Sequence, residues 1–282
     1  MKTLALNVAG LHAGMSAEIG LAMLPAANSA ALRSRMVSPG APAPAGTARQ
    51  ISVTCATCMH RPACLTGGVP AQDLDKVAKV VTLRRRIRRR EALFNAGDQF
   101  RGLYAICSGS FKSSVVDADG HGRVTGFPGP GEVLGLDGMG GATYTSGIVA
   151  IEDSVVCTMP DARIREVAQE VPALEHRLGT LLAREITRSQ GTMMLLGSMN
   201  GEARLATFLL QTSRGMARLG YSKSEFLLRM SRAELASYLG LRFETVSRYF
   251  SGFAQAGLIE VHSRELRIID FARLERVAAA GS

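Results

Sequence analysis

Three thiols crowd one short stretch of the chain, with two residues between Cys55 and Cys58 and five between Cys58 and Cys64. A loop folded tightly around one centre can aim three sulfurs inward at that spacing, and a tetrahedral or cubane site needs a fourth. Two further cysteines exist, Cys107 and Cys157, and either can complete the set. Thiolates select soft metals over hard ions, and a four-thiolate shell suits zinc and an iron-sulfur cluster alike. The competing chemistry is a C-x-x-C redox pair at Cys55 and Cys58. That pair lacks a thioredoxin-like βαβ setting, and no Ser/His/Asp or His-rich constellation occurs elsewhere, so enzyme activity is not expected.

A second group of residues is suited to reading DNA. Ser231 and Glu234 have the spacing of a capping box that starts a helix, with Leu235, Ala236 and Leu239 on its inner face and Gly240 ending it. A second helix follows with Val246 and Tyr249 or Phe250 turned inward, which is the pattern of a helix-turn-helix. Its exposed face carries Glu244, Ser247 and Arg248. Arginine can donate two bonds to guanine and glutamate can accept from cytosine, so these are base-reading chemistries. Arg242 and Arg232 are expected at phosphates, where they position without reading sequence. Apolar strands at 258–261 and 266–269 around a polar tip predict a wing, hence a winged helix.

The elements that must position these groups can be read around them. A chain of 282 residues is long enough for two domains, and a net charge of +9 favours a polyanionic partner. Five cysteines, three of them clustered, are unlike a secreted disulfide framework and point to a reducing cytosol. Residues 1–50 read as a disordered extension: their apolar start is broken by Asn7 and Gly10 before it reaches signal-peptide length, and 38–46 are rich in Pro, Ala and Gly. No stretch has the length of a membrane span. A short helix is expected over 71–83. The arginine run at 84–90 reads as a solvated edge strand, with Arg84, Arg86, Arg88 and Arg90 on one face, the alternative being a patch for nucleic acid or an acidic partner.

From 92 to 160 short apolar runs punctuated by glycine predict strands, among them 103–107, 110–116 and 148–156, closing into a small barrel or roll. From 161 to 198 a helical pattern takes over. Val171, Leu174, Leu178, Leu181, Leu182, Ile186, Met193 and Leu196 recur at steps of three and four, with Ser189 on the same seam. Such a seam predicts pairing with a second copy, placing Leu178, Leu182, Ile186, Ser189, Met193 and Leu196 at a dimer interface. An ordinary core-facing helix is the alternative.

Leu93-Phe94, Ala96-Gly97-Asp98, Leu103-Tyr104-Ala105-Ile106, Ser108-Gly109 and Gly131-Glu132 resemble the β-roll sensor domain of the CRP/FNR regulators. Val124-Thr125-Gly126-Phe127, Val155-Val156-Cys157, Glu202 to Ala206 and Glu244 to Arg248 resemble its oxygen-sensing FNR branch. The resemblance implies an α+β chain: extension 1–50, cluster loop and β-roll 51–160, dimerisation helix 161–198, winged helix-turn-helix 199–282. It implies a 4Fe-4S cluster, with zinc as the alternative, on Cys55, Cys58, Cys64 and Cys157, because the branch places its distant ligand late in the roll. Cys107 is then a small thiol outside the set. A cytoplasmic homodimeric activator reading an inverted TTGAT-like repeat is implied. So is an RNA polymerase contact through the turn at 119–123, where His121 stands in place of the family's frequent acid. A cyclic nucleotide is not expected, since the slot at 142–146 lacks the arginine that seats its phosphate. Ser189 aligns with a charged residue that keeps cluster-free subunits apart, so dimerisation is expected to be less strictly oxygen-controlled. Phe243 is bulkier than the valine usual before the reading glutamate.

Overall fold

The computed structural model describes residues 55–116 and 122–281; the extension at 1–50 and the tip of the turn at 119–123 lie outside the described residues. Among the described residues the roll has eight short strands: β1 (Leu83–Ile87), β2 (Ala92–Phe94), β3 (Gly102–Ser108), β4 (Phe111–Val116), β5 (Gly122–Gly126), β6 (Val133–Leu134), β7 (Gly147–Ala150) and β8 (Ser154–Pro160). They form two antiparallel sheets, in the orders β1-β8-β3-β6 and β2-β7-β4-β5. Side chains alternate across each pleat, so Phe111 and Ser113 of β4 and Ile148 and Ala150 of β7 point inward while their neighbours are half-buried. Ile87, Phe94, Ile106, Phe111, Ile148 and Val156 fill the space between the sheets. Ahead of the roll a 3-10 turn at Cys55–Thr57 and the five-residue α1 (Leu74–Ala78) lie against its outer face, where Val77, Leu103 and Met159 share a second core.

Three expectations about this half are corrected. The helix expected over 71–83 is shorter, because Val80 and Val81 already close the last turn before β1 begins. The arginine run is an edge strand only as far as Ile87. There the backbone turns, with Glu91 accepting from the Arg88 amide and Arg90 at a φ of 68°, so the alternation does not reach Arg90. The single strand expected at 148–156 is two, split by a turn in which Ser110 donates to Glu152 and the Arg89 amide to Asp153.

The helical stretch is also divided. α2 (Asp161–Glu170) ends at Val171, and α3 (Pro172–Ser198) starts afresh. Proline has no N–H and keeps the residue before it out of the α region, so Pro172 serves as the first residue of a new helix. The apolar seam divides accordingly. Leu174, Leu178 and Leu181 are buried against the roll of their own chain, and Leu196 packs on the C-terminal core. Leu178 is therefore a core residue of its own chain, and Leu196 is half-buried against the C-terminal core. Only Ile186 (59% exposed) and Met193 (71%) stand out into solvent, with Leu182 half-buried and Ser189 exposed.

The C-terminal half comprises α4 (Gly201–Arg218), β9 (Glu225–Leu227), α5 (Arg232–Leu239), α6 (Phe243–Gln255), β10 (Ile259–His262), β11 (Glu265–Ile268) and α7 (Phe271–Ala280). The capping box at Ser231 and Glu234 is formed, and Gly240 ends α5 at a φ of 64°, a conformation cheap only for glycine. β10 and β11 make the wing, and β9 adds a third strand that the sequence reading did not include. No helix among the described residues is long and apolar enough to cross a membrane.

Candidate metal centre and nucleic-acid interface

Tight turns gather the clustered thiols. The Cys58 amide donates to Cys55 O, the Arg61 amide to Cys58 O and the Cys64 amide to His60 O, coiling the loop back on itself. The loop rests on the turn at Gly131, where a Cβ would stand 2.9 Å from that of Ala63. Opposite it lies the middle of the first sheet, in which Cys157 of β8 is paired with Arg84 on one side and Ala105 on the other. β3 bulges between Ile106 and Ser108, and the residue in the bulge is Cys107. Its sulfur is 3.0 Å from that of Cys157. All five thiols line one cavity of about 20 Å³, together with His60 and Arg84. The sequence reading set Cys107 apart; the fold puts it beside Cys157.

The electrostatics follow from crowding. Burial pushes the Cys64 thiol up to about 11, and burial together with the neighbouring Cys157 and Cys58 sulfurs raises Cys55. Cys107 is raised by its hydrogen bond to Cys157 and by burial, whereas Cys157 is lowered to about 7 by that same hydrogen bond and the nearby Arg84 guanidinium, against the effect of burial. Arg84, read from sequence as a solvated edge residue, thus belongs to the site. Its Nε is buried with no hydrogen-bond partner. A buried donor left without an acceptor costs about 1 to 3 kcal/mol, and an anionic sulfur-ligated group in the cavity would supply one. Among the described residues no three His, Cys, Asp or Glu side chains are arranged to hold a metal ion. What fits is the donor chemistry: five sulfurs beside a cation, with the His60 imidazole at the edge of the set.

One residue that the sequence reading missed ties this loop to α3. Arg177 is 7% exposed, and its guanidinium donates from Nε and Nη2 to Cys64 O (3.0 and 2.7 Å) and from Nη2 to Pro62 O (3.0 Å). Burial lowers its pKa, with Arg184 adding to the effect. Gly67 makes room for it, since a Cβ there would lie 2.6 Å from Nη2. Nothing local announces such a contact, because its acceptors are backbone atoms more than a hundred residues away.

At the other end of the chain α6 presents Glu244 and Arg248 exposed and Ser247 half-exposed, while Val246, Phe250 and Phe253 face the core. Arg242 is the exposed N-cap of α6. Arg232 is placed differently from the others. Its guanidinium stacks 3.3 Å over the Phe250 ring, and burial lowers its pKa to about 10. The roll meets this domain through Phe127, which packs against Phe208 and Tyr238, through Lys112 paired with Glu234 at 3.0 Å, and through Glu152 paired with Arg229. In the slot at 142–146, the Asp137 carboxylate accepts from the amides and hydroxyls of both Thr145 and Ser146.

Comparison with known proteins covers both halves. Residues 84–171 match the cyclic nucleotide-binding domain and residues 203–277 the Crp-like helix-turn-helix domain. The chain is 42% identical over 223 residues to the transcriptional regulatory protein btr of Bordetella pertussis, covering 79% of this chain and 92% of that one. It is 37% identical over 227 residues to the transcriptional activator protein anr of Pseudomonas aeruginosa, covering 80% and 92%. To the fumarate and nitrate reduction regulatory protein of Escherichia coli it is 32% identical over 217 residues, covering 77% and 87%. Among solved structures it is similar to FixK2 from Bradyrhizobium japonicum, with a TM-score of 0.65, 26% identity and coverage of 71% and 98%.

Proposed function

The chain belongs to the CRP/FNR family of DNA-binding transcription regulators, which are not enzymes, and on that premise we propose that it is a cytoplasmic, oxygen-responsive member whose thiols hold a 4Fe-4S cluster. The observation that carries this reading is the cavity lined by sulfur from the N-terminal loop, β3 and β8, with the unsatisfied Arg84 Nε beside it. Cys55, Cys58 and Cys64 of the loop and Cys157 of β8 are the proposed ligands. When bound, the cluster supplies an oxidisable anionic centre common to the loop and the roll.

The chain's own residues do the rest. Arg177 holds the loop to α3 by three hydrogen bonds, so a loop freed from β8 pulls on the helix that carries the exposed Ile186, Ser189 and Met193. That strip is the proposed contact with a second copy. Two chains together present two copies of Glu244, Ser247 and Arg248 to the half-sites of an inverted TTGAT-like repeat, with Arg242 at phosphate. Binding both half-sites at once gains the effective concentration that one chain lacks. Arg232, occupied by Phe250, supports the domain rather than reaching for DNA. The absence of a cyclic nucleotide from the mechanism is supported by Asp137, which already takes the amides of Thr145 and Ser146. An RNA polymerase contact, as in an activator, remains part of the proposal.

The test is purification without air, with iron and acid-labile sulfide measured for the native protein and for each cysteine changed singly to serine. Loss in the Cys55, Cys58, Cys64 and Cys157 variants, with retention in Cys107→Ser, is expected. Retention in Cys157→Ser overturns the ligand set, and zinc in place of iron overturns the cluster. Operator affinity must also fall on exposure to air; equal affinity overturns the sensing role.

A further inference from the structure

Cys107 has no part in the mechanism above, yet its sulfur lies 3.0 Å from that of Cys157. Two features of the sheet bring this about. Ala105 is paired directly with Cys157, which makes Cys107, two residues on, a diagonal neighbour on the same face. Diagonal neighbours on regular strands are roughly 7 to 8 Å apart. The bulge between Ile106 and Ser108 shifts the register and swings Cys107 toward its neighbour. A disulfide bond is about 2.05 Å long, so the pair needs an approach of about 1 Å, within the range of ordinary side-chain motion. Cys107 is also reachable from solvent, and Cys157 lines the cavity behind it. A groove of about 370 Å³, lined by Cys107, Cys58, Met59, His60, Arg84 and Ser108, shares Cys58, His60, Arg84 and Cys107 with the inner cavity.

We propose that Cys107 and Cys157 form a second redox site, a disulfide made across β3 and β8 by a peroxide-class oxidant when the thiols carry no metal. The Cys157 sulfur attacks one peroxide oxygen and the O–O bond breaks. Hydroxide leaves, taking up the thiol proton as water, and Cys157 becomes a sulfenic acid. The Cys107 sulfur then attacks that sulfur, the S–S bond forms, the S–O bond breaks, and the hydroxyl departs with the Cys107 proton as a second water. Each thiol sulfur loses one electron and the peroxide takes both. The bond withdraws Cys157 from the proposed ligands, so a chain oxidised in this way needs a dithiol reductant before it can be loaded. That consequence rests on the ligand reading; the disulfide itself does not.

The full-length chain, stripped of metal and kept reduced, is treated with one equivalent of hydrogen peroxide, alkylated and mapped by mass spectrometry. The Cys107–Cys157 cross-link is expected to form about tenfold faster than any bridge to Cys55, Cys58 or Cys64, because the pair is already in contact. It should revert with dithiothreitol. In both Cys107→Ser and Cys107→Ala, Cys157 is expected as a sulfenic acid trapped by dimedone. Recovery of Cys107 as an alkylated thiol while Cys157 bridges to a loop cysteine overturns the proposal. Air-free protein that never holds iron yet makes this cross-link refutes the cluster and leaves the pair standing. Iron-loaded protein whose stripped form leaves Cys107 unpaired does the reverse.

Discussion

Replacing Arg177 with methionine tests whether the loop and α3 are mechanically joined. The guanidinium serves two backbone oxygens. Hydrogen bonds involving a charged group are worth about 1.5 to 3 kcal/mol each, so two acceptors set a gross loss of roughly 3 to 6 kcal/mol. Two effects reduce it. Cys64 O keeps the bond it accepts from the Gly67 amide, and removing a buried cation recovers the desolvation that depresses its pKa. A net loss of about 2 kcal/mol corresponds to roughly 30-fold in the ratio of docked to undocked loop. Hydrogen exchange reads this directly. The amides of Arg61, Ala63, Cys64 and Gly67, which bond within the loop, should exchange about 30-fold faster in Arg177→Met, while those of β3 and β8 stay unchanged. In the same variant the change in dimer affinity on air exposure should shrink even where the cluster still assembles. Arg177→Lys, with one nitrogen to reach both oxygens, should fall between. Wild-type loop protection together with an intact air response in Arg177→Met would refute the reasoning.

Two further outcomes follow from other parts of the chain. Arg248→Ala should cost about 1 to 3 kcal/mol of operator binding, or roughly 5- to 150-fold in Kd, and should relax discrimination at a single base pair; a uniform loss on every sequence would make Arg248 a phosphate contact. Glu234 burial raises its carboxyl pKa, but the Ser231 amide and hydroxyl and Lys112 outweigh it, so the folded value lies below the ordinary 4.5. A lowered folded pKa stabilises above the unfolded value and is lost as pH falls through the folded one. The Tm difference between the native protein and Glu234→Gln should therefore be full at neutral pH and shrink below about pH 4.5; a difference independent of pH would show that the charge contributes nothing.

What the sequence made legible was what local geometry dictates. The capping box at Ser231 and Glu234, the left-handed Gly240 and the inward Val246 and Phe250 all depend on neighbours within a turn or two. The spacing of Cys55, Cys58 and Cys64 is equally local, and the loop does bring the three thiols to one cavity. Sites assembled across the sheet were not legible. Arg84 looked like one arginine among many until β8 laid Cys157 beside it, and Cys107 looked remote because the bulge that turns it has no sequence signature. The seam on α3 misled in a different way: helical periodicity records which residues share a face, not whether that face meets its own roll, a second chain or both. Pro172, by contrast, is a local signal, and it is where the helix splits.

α3 reaches the thiol loop near one end and the helix-turn-helix domain near the other, through an arginine strap at each. Near its start Arg177 grips the thiol loop. Near its end Arg204 of α4 donates to Leu196 O and, from the same guanidinium, to Leu239 O at the end of α5, while Leu196 packs 3.4 Å from where a Cβ on Gly240 would sit. Ile186 lies nine positions beyond Arg177 and Met193 seven beyond that, so at 1.5 Å per residue the exposed strip spans roughly 14 to 24 Å along the rod from the first strap. An unbroken helix of that length moves as one body. A tilt imposed at the thiol loop would therefore appear both at the exposed strip of Ile186, Ser189 and Met193 and at the turn of the helix-turn-helix. The proposed coupling then needs no chain of side-chain rearrangements, only a rod held at two points.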